Sequence, residues 1–143
     1  MKGRTYRFMS DPLFSFGFGL SYTTFSIGKG QLSKSKVNKN ESVILTVPVT
    51  NTGKRNGVEV VQVYIRKTGD NTGPLKTLRG FKKITVDAGK KASAAIELPY
   101  SAFAFYNEAT EKQELTVMPG AYEILYGPSS LEKDLQVLKI AVQ

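Results

Sequence analysis

Between Ser42 and Thr50 every second residue is aliphatic. Val43, Leu45, Val47 and Val49 fall on one side of an extended chain, with Ser42, Thr46 and Thr50 on the other. A period of two describes a half-buried β-strand and does not fit an amphipathic helix. Pro48 lies inside this run and predicts an edge position or a bulge, because proline cannot donate to a ladder. Val58–Ile65 is almost entirely β-branched or aromatic, which predicts a central strand with both faces partly covered. Further strand candidates are Phe81–Val86, Ala92–Leu98, Leu115–Val117, Tyr122–Tyr126 and Leu135–Val142. Asn51-Thr-Gly53, Asn56-Gly57, Asp70–Pro74, Asp87-Ala-Gly89, Pro119-Gly120 and Gly127–Ser130 supply the turns between them. Pro99–Tyr106 reads as a short helical turn. About seven short strands with such turns make an all-β chain, an antiparallel two-sheet sandwich. Tyr122, just after Pro119-Gly120, stands where a tyrosine corner belongs, a structural role in the core.

Length and composition narrow the chemistry. At 143 residues the chain is one domain with enough material to close a core, and 41% of it is apolar. It has no cysteine and no histidine, so disulfides, thiolate metal sites and histidine-based triads are excluded within it. No catalytic residue, metal ligand or cofactor site is expected. No apolar run approaches the roughly 20 residues of a membrane span. Met1-Lys-Gly-Arg4 is not followed by the apolar stretch of a signal peptide, so the chain either stays inside the cell or belongs to a longer exported protein. The formal charge is +8, but the lysines are scattered over turns and strand ends (Lys34, Lys54, Lys82, Lys83, Lys90, Lys91), which describes a solvated surface and blunted sheet edges.

Residues 1–21 stand outside the strand pattern and form a linker segment, with the sandwich domain spanning 22–143. Within this stretch and its junction, Phe14, Phe16, Phe18, Leu20 and Tyr22 alternate with Ser15, Gly17, Gly19 and Ser21. The alternation predicts an extended strap with its large side chains on one side and backbone close approach at the glycines. Burying each such side chain is worth about 1.5–3 kcal/mol, so the stripe must pack on the sandwich or on something beyond this chain.

Gly3-Arg-Thr-Tyr-Arg-Phe8 followed by Pro12-Leu-Phe-Ser-Phe-Gly-Phe-Gly-Leu-Ser-Tyr-Thr-Thr-Phe25 resembles the junction in family 3 glycoside hydrolases, where an α/β sandwich domain leads into a C-terminal fibronectin type III-like domain. The resemblance continues through Val49-Thr-Asn-Thr-Gly53, Gly57–Tyr64, Pro74–Lys83, Pro119-Gly-Ala-Tyr122 and Tyr126–Ser130. It implies an immunoglobulin/fibronectin type III-like fold and a parent β-glucosidase or β-xylosidase. It also implies a periplasmic or secreted setting, and catalytic domains of the same polypeptide as partners. Retaining hydrolysis in such enzymes needs two carboxyl groups about 5–5.5 Å apart, and the family carries them on the preceding domains. Asp11, Glu59, Asp87, Glu97, Glu108, Glu111 and Glu114 therefore read as turn, edge or loop carboxylates. Arg4, Tyr6, Arg7, Phe14, Phe16, Phe18, Leu20 and Tyr22 are the candidates for interdomain packing.

The alternative is a free-standing carbohydrate-binding module that takes an oligo- or polysaccharide. Tyr100, Phe103, Phe105 and Tyr106 are its candidate sugar contacts, against a reading in which those aromatics simply finish the core. A nucleic-acid binder is a third reading. It rests on charge alone, without a motif, and no nucleic-acid partner is expected.

Overall fold

The alternating segments become the strands of two facing sheets in a computed structural model, which describes residues 5–9, 12–70, 73–106 and 114–143. In chain order the strands are β1 (Phe25–Ile27), β2 (Gln31–Leu32), β3 (Lys36–Val37), β4 (Ser42–Asn51), β5 (Gly57–Lys67), β6 (Thr77–Val86) and β7 (Lys91–Pro99). A 3-10 turn over Tyr100–Phe103 leads to β8 (Ala104–Tyr106), followed by β9 (Leu115–Val117), β10 (Gly120–Gly127) and β11 (Gln136–Val142). One sheet has β4 at its centre, with β7 on one side and the short β1 and β2 in succession along the other. The second runs β3-β11-β10-β5-β6, antiparallel except for the β3–β11 pair. β8 and β9 form a separate antiparallel pair. β6 and β7 carry Lys82, Lys83 and Lys91 exposed along the sheet edges, where a charged side chain discourages pairing with another chain.

The core lies between the sheets. Val43, Leu45, Val47 and Val49 of β4 have no exposed surface, and they meet Val61, Val63 and Ile65 of β5 with Tyr122, Ile124 and Tyr126 of β10. Tyr122 forms the expected corner: its hydroxyl donates to Met118 O at 2.7 Å, and its ring meets Phe103 edge-on. Tyr126 closes the other end. Its hydroxyl accepts from Gly30 N at 2.6 Å and donates to Gln136 Oε1 at 2.9 Å. A Cβ on Gly30 would stand 3.0 Å from the Tyr126 ring, so this approach favours glycine.

Two details differ from the sequence expectation. Pro48 is on the inner strand of its sheet, neither at an edge nor at a bulge in the β4–β7 ladder. Its carbonyl accepts from Gly28 N, so its donor-less nitrogen faces the same side, where β1 ends and β2 has not begun. The neighbouring edge is broken at the place where the proline has nothing to offer. Asn51, expected as a turn residue, is fully buried. Its amide donates to Arg55 O and Val86 O and accepts from Thr23 Oγ1 and Gly53 N, which saturates the group.

Truncating Leu45 to alanine should cost about 2–5 kcal/mol in urea unfolding. The same change at the adjacent Ile44, which points to solvent at 43% exposure, should stay within about 0.5 kcal/mol. Equal losses at the two positions would contradict the assignment of faces.

Candidate functional site

β5 is covered on both faces. Val61, Val63 and Ile65 point into the core, while Gln62 and Tyr64 point the other way and are nonetheless buried. The N-terminal flank covers them. The Tyr6 ring stacks on Phe16 at 4.7 Å and meets Tyr64 edge-on at 5.7 Å, while its hydroxyl accepts from Leu78 N at 3.1 Å. Phe16 O accepts from Ser130 N at 2.8 Å, Ser15 Oγ donates to Ser129 Oγ, and Arg7 O accepts from Leu75 N at 2.7 Å. Beneath them, Gln62 Nε2 donates to Pro128 O at 2.7 Å and its Oε1 accepts from the Tyr64 hydroxyl at 2.5 Å. Burial, and then the nearby Tyr6, push the Tyr64 phenol well above its ordinary range. Gly17 sits directly on the Gln62 amide with φ +81°, and a Cβ there would lie 2.1 Å from Nε2. Both the backbone conformation and the space call for glycine.

The flank is not the extended strap that its alternation predicts. It turns at Ser15–Phe18, where Phe18 N donates to Ser15 O at 3.0 Å. It lies against the outer face of a sheet rather than along a free strand edge, so no ladder is on offer and a turn satisfies its backbone instead. Nor do its large side chains share one buried side. Phe16 is half-exposed and Phe18 slightly more so, Phe14 is 70% exposed, and Leu13, Leu20 and Tyr22 stand above 90%. Phe14 and Phe18 touch at 5.7 Å between ring centres, and Tyr6, Met9, Pro12, Phe14 and Phe16 line an apolar hollow of about 450 Å³. Arg4 lies outside the described residues, as do Asp11, Glu108 and Glu111.

The sugar-contact candidates divide. Phe103 has no exposed surface and Phe105 almost none, so neither offers an open face, and Tyr100 packs partly against the core. Tyr106 alone of the four stands out at 61% exposure. It borders a second cavity of about 660 Å³, with Arg7, Lys67 and Arg79 also in the wall. The carboxylates do not converge. Asp87, Glu97 and Glu114 are exposed at turns and edges. Glu59 is half-buried, and burial pushes its carboxyl up against the opposing hydrogen bond from Val60 N–H. Among the described residues, no three His, Cys, Asp or Glu side chains are grouped to hold a metal ion.

Sequence reasoning missed the receiving surface of Gln62, Tyr64, Ser129 and Ser130. The signal was available for the first two, since they occupy the alternate positions of the same period-two run as Val61, Val63 and Ile65. Also missed was an ion network beside the flank. Arg66 Nε donates to Glu123 at 2.5 Å and Arg66 Nη1 to Glu132 at 2.8 Å, while the nearly buried Lys76 ammonium donates to Glu132 at 2.6 Å. Burial alone would raise the Glu132 carboxyl, but Lys76 and Arg66 outweigh it and hold the group below its ordinary range.

Comparison with known proteins agrees with this architecture. The family described as "Fibronectin type III-like domain" matches residues 59–130. A xylan 1,4-β-xylosidase of Xylanibacter ruminicola is 47% identical over 99% of this chain, which spans 16% of that protein. A periplasmic β-glucosidase of Salmonella typhimurium is 36% identical over 83% of the chain and is spanned to 15%. The crystal structure of a β-glucosidase from Listeria innocua superposes with a TM-score of 0.79 at 32% identity, covering 92% of this chain and 18% of that one. The chain thus spans less than a fifth of the length of these relatives.

The Glu132 network carries a pH signature. A carboxyl whose folded pKa is depressed contributes stability above its unfolded value, near 4.5, and loses that contribution as pH falls through the folded value. Urea unfolding of Glu132→Gln should therefore show a deficit against the parent chain at pH 7 that narrows steadily below about pH 4.5. A deficit independent of pH would contradict the ion-pair account. Because Glu132 is half-exposed, the deficit should be small.

Proposed function

Because this chain belongs to the fibronectin type III-like domain family, we propose that it is the non-catalytic accessory domain of a longer exo-acting β-glycosidase, a β-glucosidase or β-xylosidase, and that it stabilises the catalytic domains by docking on them. The observation that carries this reading is the pairing of coverages: nearly all of this chain aligns with under a fifth of relatives named β-xylosidase and β-glucosidase. Residues 1–21 are the connecting segment and 22–143 the domain proper. Tyr6 and Phe16 anchor the segment to the sheet. Phe14, Phe18, Leu20 and Tyr22 are left to meet the preceding domain, and Arg4, which lies outside the described residues, joins them in this reading. Hydrolysis with retention would take place on that preceding part, where two carboxyl groups can stand at the required separation. A periplasmic or secreted location follows for the whole protein, supported by the periplasmic relative. No helix of the described residues is long and apolar enough to cross a membrane.

Replacing Phe18 and Leu20 together with serine should leave the melting of this 143-residue chain almost unchanged, because both are already exposed. In the longer enzyme the same change should lower Tm, because burial of each side chain against the preceding domain, worth about 1.5–3 kcal/mol, is lost. Equal melting of the parent and variant long enzymes would remove the docking role. Assayed alone against aryl β-glucoside and aryl β-xyloside, the chain should give no turnover, and turnover would refute the accessory reading.

A further inference from the structure

The cavity of about 660 Å³ beside Tyr106 has a chemistry of its own. It lies between the N-terminal flank, the β5–β6 connection and the β8–β9 pair, and none of the exposed flank residues from Phe14 to Tyr22 borders it. Arg79 enters from β6. Its guanidinium lies 5.1 Å from the centre of the Phe105 ring, and Nη2 donates to Ala104 O. Its Nε is buried and has no acceptor, and the same is true of the Nε of Arg7, which comes from the flank. Burial lowers the Arg79 pKa and the charge of Arg7 lowers it further, so the two guanidinium groups repel each other. Lys67 adds a third cation, with its ammonium 3.4 Å from Met118 Sδ, while Asp70 is the acidic residue among the described residues of the wall.

Two arginines in the wall of one cavity, with Lys67 beside them, call for an anion with more than one acceptor. A carboxylate matches the planar fork of a guanidinium, and such charge-assisted bonds are among the stronger ones. The exposed ring of Tyr106 adds what a bare inorganic anion cannot use, a flat apolar face beside the cations. The volume lies within the range of small-ligand sites. We propose that this cavity is a binding site for a sugar acid. Arg7 and Arg79 hold the carboxylate of a uronic acid residue, and Tyr106 stacks against its ring. The site is independent of the docking surface and stands whether or not the accessory reading holds.

The test is a calorimetric or NMR titration of the 143-residue chain with the methyl glycoside of glucuronic acid, beside methyl glucoside and inorganic phosphate. The uronoside should bind at least about tenfold more tightly than either comparator and should weaken as salt is raised. Arg7→Gln and Tyr106→Ala should each lower its affinity about tenfold while leaving the melting temperature unchanged. Arg79 is left intact because it also supports Ala104 and Phe105. Three results would overturn the proposal. Equal affinity for the neutral glucoside, or no binding, removes the carboxylate. Equal affinity for phosphate removes the sugar. Binding to this chain that vanishes in the longer polypeptide assigns the cavity to a carboxylate side chain of a neighbouring domain.

Discussion

The amide of Gln62 holds the flank to the sandwich. It sits on the outer face of β5, where a buried polar group must find partners for its donor and acceptor ends. Pro128 O and the Tyr64 hydroxyl supply them, one from the loop after β10 and one from the same strand. With that amide fixed, Gly17 can rest on it and only Gly17 can, because any side chain would occupy the space of Nε2. The turn at Ser15–Phe18 follows from the same contact, and the directions of Phe14, Phe16 and Phe18 follow from the turn. A single buried amide thus sets which aromatics face inward and which are presented outward.

That arrangement gives the second sheet two different jobs. Its inner face closes the core with β4 and β7, through Val61, Val63 and Ile65. Its outer face holds a segment whose apolar residues exceed what the sandwich alone can cover. An isolated domain would have little use for Leu20 and Tyr22 in water. In the proposed longer enzyme that excess would serve as the contact with the preceding domain. The ion network of Arg66, Lys76, Glu123 and Glu132 borders this face and ties β5 and β10 to the segment that precedes β11.

Much of the core was legible in the sequence, because alternation in a strand has one physical reading: Val43 to Val49 had to be buried on one side, and they are. Tyr122 was legible for a similar reason, through its offset from the Pro119-Gly120 turn. Pro48 was read too narrowly. A proline needs only a side without a partner, and an inner strand has one wherever its neighbour breaks. The flank was misread because alternation of aromatics with glycine and serine does not distinguish a strand from a turn: Gly17 can take positive φ at no steric cost. Whether such a segment ladders depends on the presence of a free edge, which is a property of the sheet and not of the segment. The cavity arginines were invisible for another reason. Arg7 and Arg79 are 72 positions apart, and only the folded flank brings them to the same wall.

The central claim is that the outward-facing flank is a contact surface held ready by the sandwich. Hydroxyl-radical footprinting of Phe14, Phe18, Leu20 and Tyr22 in this chain and in the longer polypeptide tests it most directly. The account predicts strong labelling of all four here and marked protection there, with Tyr64 protected in both. Equal labelling of the four in the two proteins would contradict it.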